Sequence, residues 1–128
     1  VTFVIHGPPR TKKNHQRIGQ VRGRPAIFQA RSSENWEKQA VSTLLDQRIS
    51  RGWEMANWPV SMRALVYRDR AVGDLLNYLA AISDALEGAG IVSDDKWIVS
   101  VDGSRLFKDA KNPRVEVTVL TVLDQSGQ

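Results

Sequence analysis

The sequence predicts an α+β domain, a single mixed β-sheet with two helices packed on one face. Three observations predict it. The 128 residues are 41% hydrophobic, enough for one core and too few for two. Signals along the chain run strand, loose hairpin, helix, strand, helix, strand, strand, with no repeat, low-complexity tract or internal linker. The two helical stretches are amphipathic, and such helices bury their apolar stripes by lying together on a sheet. The whole of 1–128 is therefore expected to form one domain.

Val1 to His6 (VTFVIH) is β-branched and aromatic, stops at Gly7-Pro8-Pro9, and reads as the first strand. A loop, RTKKNHQRI, follows, in which Asn14 and His15 suit turn positions. Ile18 to Phe28 alternates weakly and is broken by Gly19, Gly23 and Pro25, which predicts a loose hairpin. Ser32 or Ser33 then caps a helix with Glu34 and Glu37 in its first turn. Its apolar face is Trp36, Ala40, Val41, Leu44, Leu45 and Ile49, and it ends near Gly52. Trp53 to Pro59 interrupts regular structure, and Trp58-Pro59 favours an extended entry into the next element. Trp53 and Trp58 are expected to pack against the helix, the alternatives being stacking on bases or a dimer contact.

Val60 to Arg68 alternates as a strand. Beyond it, Leu75, Leu79, Ile82 and Leu86 recur at steps of four, three and four and predict a second helix, with Asp74, Asn77 and Asp84 on another side. Gly88 and Gly90 stop that helix. Trp97 to Val101 reads as a strand, continued by Arg105 to Lys108 beyond a turn or bulge at Gly103. Val115, Val117, Val119 and Leu120, with Glu116 and Thr118 between, form the clearest strand of all. Asp124 to Gln128 is a polar tail.

Composition narrows the function classes. There is no cysteine, and only His6 and His15 are available as imidazoles, which excludes a disulfide framework or a zinc set. No apolar run approaches the length of a membrane span and the start lacks a signal-peptide pattern, so no membrane association and a cytoplasmic location are expected. The net charge of +4 conceals a strong asymmetry. Residues 1–33 carry seven cations (Arg10, Lys12, Lys13, Arg17, Arg22, Arg24 and Arg31) and no carboxylate, whereas the remainder has eleven Lys and Arg against fourteen Asp and Glu. A basic lobe beside an acidic region suits a protein that draws in phosphates while holding a cation nearby; the alternative is a merely solvated basic hairpin.

The acidic groups sit around the second helix, Asp74 before it and Asp94-Asp95 after its terminal turn. Oxygen-only clusters suit Mg²⁺, which takes one or two carboxylates, keeps several waters and can hold a phosphate oxygen. Phosphodiester hydrolysis is the matching reaction class. The alternative reading makes Asp74 a helix-start charge and Asp94-Asp95 a solvated turn.

The spacing of Asp74, Asn77, Asp84-Ala85-Leu86, Ala89-Gly90 and Asp94-Asp95 resembles the signature of the RusA family of Holliday junction resolvases. The resemblance implies a small, dimeric, Mg²⁺-dependent endonuclease that cuts four-way DNA junctions in recombination and repair in bacteria and their prophages, with Mn²⁺ as a substitute ion. It implies Asp74 and Asp95 as catalytic groups and Asp74, Asp94 and Asp95 as metal ligands. Phosphate contacts would come from Arg10, Lys12, Lys13, Asn14, Arg17, Arg22 and Arg24 of the basic lobe, and from Arg68 and Arg70 just before Asp74. This chain departs from the pattern at two places. The family reads Asp-x-Asp-Asn with a Lys four residues after the second Asp, and here those positions are Leu76 and Ala80. Being four apart, they adjoin on a helix, so one acidic and one basic position have become apolar together. The implied activity is therefore junction binding with slow or absent cleavage, and the alternative is a non-catalytic, structure-selective binder of branched DNA.

Overall fold

A computed structural model of the chain describes residues 1–11 and 23–122, with side chains described for all of these except 23–31. Strand β1 (Thr2–His6) buries Phe3 and Ile5 and turns off at Gly7, whose φ of +103° is open to glycine alone at little cost. Helix α1 (Gly23–Arg51) follows, then β2 (Val60–Arg68), α2 (Leu75–Gly88), a 3₁₀ turn (Asp95–Trp97), β3 (Ile98–Ser100), β4 (Arg105–Lys108) and β5 (Arg114–Thr121).

The sheet is mixed. β5 lies between β1 and β2 and is antiparallel to both, while β3 and β4 each pair parallel to β2, β3 at its start and β4 at its end. Together β3 and β4 form one interrupted edge. The gap between them is bridged by Ser104, whose Oγ accepts from the Ala64 amide at 3.0 Å. Alternate residues of the sheet are fully buried: Phe3 and Ile5, Val60, Met62, Ala64 and Val66, and Val115, Val117 and Val119. The intervening ones are not, so both helices cover one face, as expected of this α+β fold. Residues of the other face stack among themselves, with Tyr67 against Phe107 at 4.8 Å and Arg114 over Tyr67 at 3.8 Å.

Helix α2 forms from the expected stripe. Tyr78, Leu79, Ile82, Ala85 and Leu86 are buried, and Leu75 packs at the margin. It lies so close to α1 that a Cβ on Gly88 would stand 2.9 Å from Val41 Cγ2, which explains a glycine there without any unusual dihedral. Gly90, at φ +72°, then reverses the chain.

Four expectations are corrected. The hairpin over Ile18 to Phe28 is not formed, since residues 23–28 belong to α1; Ile18 to Arg22 lie outside the described residues. Pro25 misled because it falls among the first helical residues, whose amides have no partner within the helix anyway. Neither Ser32 nor Ser33 caps α1, and Ser33 is buried inside it. Leu45 and Ile49 are exposed, because the inward stripe runs Trp36, Ala40, Leu44 and then Gln47. The Gln47 amide serves the edge of β1 as a neighbouring strand would, accepting from Val4 N–H at 3.0 Å and donating to Val4 C=O at 2.7 Å. Finally, the segment from Trp97 begins as a 3₁₀ turn and becomes a strand only at Ile98. The polar tail lies outside the described residues.

Candidate metal and nucleic-acid site

The loop between β2 and α2 carries Asp74 and is braced on several sides. Arg68 donates from Nη1 to Gly73 C=O at 3.1 Å and from Nε to Phe107 C=O at 3.3 Å. Tyr78 Oη donates to Val72 C=O at 2.8 Å. Arg10 reaches across from the N-terminal loop and holds Asp69 with two parallel bonds of 2.8 and 2.9 Å. That hydrogen bonding keeps the Asp69 carboxyl below its ordinary range and raises the Arg10 guanidinium further. Asp74 itself is the N-cap of α2, its Oδ1 accepting from the Asn77 amide at 3.0 Å.

At the far end of α2 lies a second acidic group. Glu87, Asp94 and Asp95 each place a carboxylate oxygen within 4.8 Å of the others. The cluster is organised by backbone. Asp95 N–H donates to Glu87 Oε1 at 2.9 Å, and Asp94 Oδ1 caps the 3₁₀ turn by accepting from Lys96 N–H at 2.8 Å. All three are exposed, and their donor set of carboxylate oxygens fits a hard divalent cation. Glu87 was not singled out in the sequence. Its signal is its place one residue before Gly88, which puts it on the last turn of α2 beside the returning Asp94-Asp95 chain.

The expectation that Asp74 and Asp95 share an ion does not hold within one chain. They flank opposite ends of a 14-residue helix, whose rise of about 1.5 Å per residue separates its ends by about 20 Å. Leu76, 76% exposed, and the exposed Ala80 stand near Asp74 on the open side of the helix, the latter one turn further along it. A residue so apolar and so exposed at a helix start has no packing reason to be there.

The expected phosphate contacts divide into three groups. Lys12, Lys13, Asn14, Arg17 and Arg22 lie outside the described residues, and for Arg24 only the helical backbone is described. Arg10 and Arg68 are engaged, the first by Asp69 and the second by main-chain carbonyls, so they brace the site instead of facing solvent phosphate. Arg70 remains, its side chain 59% exposed and 3.8 Å from Asp69. Trp53 and Trp58 each make contacts within the fold. Trp53 donates to Ile91 C=O and meets Phe3 edge-on, and Trp58 donates to Thr121 Oγ1.

No helix among the described residues is long and apolar enough to cross a membrane. No curated protein gives a significant match to the chain. A family profile described as Endodeoxyribonuclease RusA matches residues 6–120, a span that opens on the last residue of β1 and takes in both helices, the braced Asp74 loop and the acidic trio. RusA nucleases bind branched DNA, resolve Holliday junctions and generally use a divalent metal, and this chain, matched over nearly its whole length, belongs to the RusA endodeoxyribonuclease family.

Proposed function

We propose that the protein is a Mg²⁺-dependent endonuclease, with Mn²⁺ as a substitute, that acts as a two-fold homodimer on four-way DNA junctions and cleaves slowly in its present sequence. The observation that carries this is the pair of acidic sites at the two ends of α2 in a chain of this family. Neither end alone offers the family's set of groups. A two-fold partner running antiparallel along α2 would set Asp74 of one copy against Glu87, Asp94 and Asp95 of the other, twice over by symmetry. Two such composite sites suit paired nicking of a junction.

In this reading Glu87, Asp94 and Asp95 hold the cation with Asp74 of the second copy. A divalent cation bound there supplies charge to the scissile phosphate and lowers the pKa of an attacking water. The chain's own contribution is placement. The Arg68 and Tyr78 bonds hold the Asp74 loop still, and the 3₁₀ turn fixes Asp94 and Asp95 relative to Glu87. Arg70 and the basic N-terminal segment take the flanking phosphates, with affinity that falls steeply as salt rises. Leu76 offers no carboxylate and Ala80 no cation for charge that develops in the transition state, which is the reason for attenuation.

A second reading drops catalysis and keeps structure-selective binding of branched DNA. It draws support from the exposure of Leu76 and Ala80, which leaves an apolar surface beside Asp74. A labelled four-way junction incubated with and without Mg²⁺ or Mn²⁺ separates the two. Symmetric metal-dependent nicks support the nuclease, a retarded but uncut junction supports the binder, and no junction binding at all overturns both.

A further inference from the structure

Strand β4 lies at the edge of the sheet, and the cations around it have no acidic partner. Arg63 of β2, Arg105 and Lys108 of β4 and Lys111 in the turn beyond are all exposed. Among the described residues none of the four makes an ion pair. Of the carboxylates on this side, Asp109 and Glu116 are both taken by Arg114, at 3.1 and 2.7 Å, and Asp102 stands in the turn at the far end of β4. The edge is therefore left with a run of unopposed positive charge.

The surface beneath these cations is well supported. Tyr67 sits between Arg114 of β5 and Phe107 of β4, with both ring faces covered, so it offers no platform on which a base could stack. Arg105 adds to the stack from beyond, 5.7 Å from the Phe107 ring. The stem of Arg63 lies so near the Gly103 turn that a Cβ there would stand 2.8 Å from its Cδ. The turn after β4 is tied down as well. Asp109 accepts from the Asn112 amide at 3.1 Å, Arg114 donates to Asn112 C=O at 2.9 Å, and Gly7 N–H donates to Pro113 C=O at 3.0 Å. The Asp109 amide in turn donates to Arg68 C=O at 2.8 Å, at the root of the Asp74 loop. Strand alternation puts Arg105 on the open face of the sheet and Lys108 on the helix side, where it pairs with Arg68. The two are about 10 Å apart along the strand, the axial rise of about three nucleotides of one DNA strand.

We propose that β4 and the turn beyond it form a phosphate-binding track that takes the sugar–phosphate backbone of a DNA arm leaving the Asp74 loop. The inference rests on the nuclease reading above and adds to it a second phosphate surface, carried by the sheet. Exposed, unopposed cations over occupied rings suit backbone contact and not base readout, so the track holds an arm of any sequence.

The test measures binding to a labelled four-way junction and to a linear duplex across salt concentrations, beside thermal unfolding. The full chain is compared with the triple variant Arg105→Gln, Lys108→Gln, Lys111→Gln and with a control, Lys38→Gln with Arg51→Gln, which neutralises two exposed cations of α1. In the triple variant the slope of log binding constant against log salt should shrink by about two to three, since each phosphate contact contributes about 0.9, on junction and duplex alike. The control should keep its slope, and so should Lys108→Arg with Lys111→Arg. A triple variant that unfolds normally and keeps the full slope overturns the track. The same slope accompanied by self-association would assign the cations to guarding the sheet edge, and also overturns it. An equal loss per charge in the control overturns it too, because net charge alone would then account for the effect. If the unaltered chain binds duplex and junction equally, the nuclease reading fails and the slope comparison on duplex still decides the track; if it binds no DNA, both fall.

Discussion

The two ends of α2 hold their acidic groups by different means. At the N-terminal end, Asp74 sits in a loop braced by side chains from β2, α2 and the N-terminal loop. At the C-terminal end, Glu87 and Asp94 accept from main-chain donors of a tight turn, and Asp95 is placed by that turn's backbone. The braced end also carries Leu76, 76% exposed, and the exposed Ala80 on its open side. One end thus depends on contacts between distant segments, and the other on its own local turn.

The largest expected effect comes from placing charged groups beside Asp74. Leu76→Asp with Ala80→Lys should raise metal-dependent junction nicking by about a hundredfold, the scale of one positioned charged group at a reacting phosphate. Unaltered nicking by a folded, junction-binding double variant would remove these positions from the site. Next in size is the helix that joins the ends. Ile82 is fully buried, and Ile82→Ala should cost about 2–5 kcal/mol in urea unfolding. Such a loss would weaken both ends together, whereas a smaller one would mean that α2 is not the common support.

The ends should also differ when each carboxylate is removed. Asp74→Ala loses an N-cap and should cost about 1 kcal/mol. Asp95→Ala, whose side chain holds no cap, should stay within about 0.5 kcal/mol of the unaltered chain. Equal costs would contradict the description of the trio as backbone-organised. The smallest effect is electrostatic. The Asp69 carboxyl lies below its ordinary value because Arg10 hydrogen-bonds its charged form. A depressed carboxylate stabilises the fold above its unfolded value of about 3.9 and ceases to do so as pH falls through the folded one. Asp69→Asn should therefore cost less than about 1 kcal/mol at neutral pH and nothing in strong acid, read from unfolding midpoints across pH.

The sheet and α2 were legible because their periodicities are local. Val115, Val117 and Val119 alternate, and Leu79, Ile82 and Leu86 keep helical steps, whatever else surrounds them. The start of α1 was not legible, since Gly23 and Pro25 signal a turn equally well and only the helix beyond them settles the matter. In the site, Asp94 and Asp95 were found beside the end of α2, but Glu87 was missed because a glutamate on a last helical turn is unremarkable until the chain folds back over it. Asp74 was rightly placed at the helix start, yet its separation from Asp95 follows directly from the helix between them. The bond from Arg10 to Asp69 joins positions 59 apart and leaves no trace in the order of residues.

The central claim is that a working site combines Asp74 of one copy with the acidic trio of another. It is tested by mixing two inactive proteins, Asp74→Asn and Asp95→Asn, each in the Leu76→Asp, Ala80→Lys background, under conditions that let subunits exchange. Half of the randomly reassorted dimers would be mixed, and each would hold one intact composite site, so nicking should return to about a quarter of that of the parent. A mixture that exchanges subunits and stays as inactive as its components would place both carboxylates in sites of a single chain and contradict the claim.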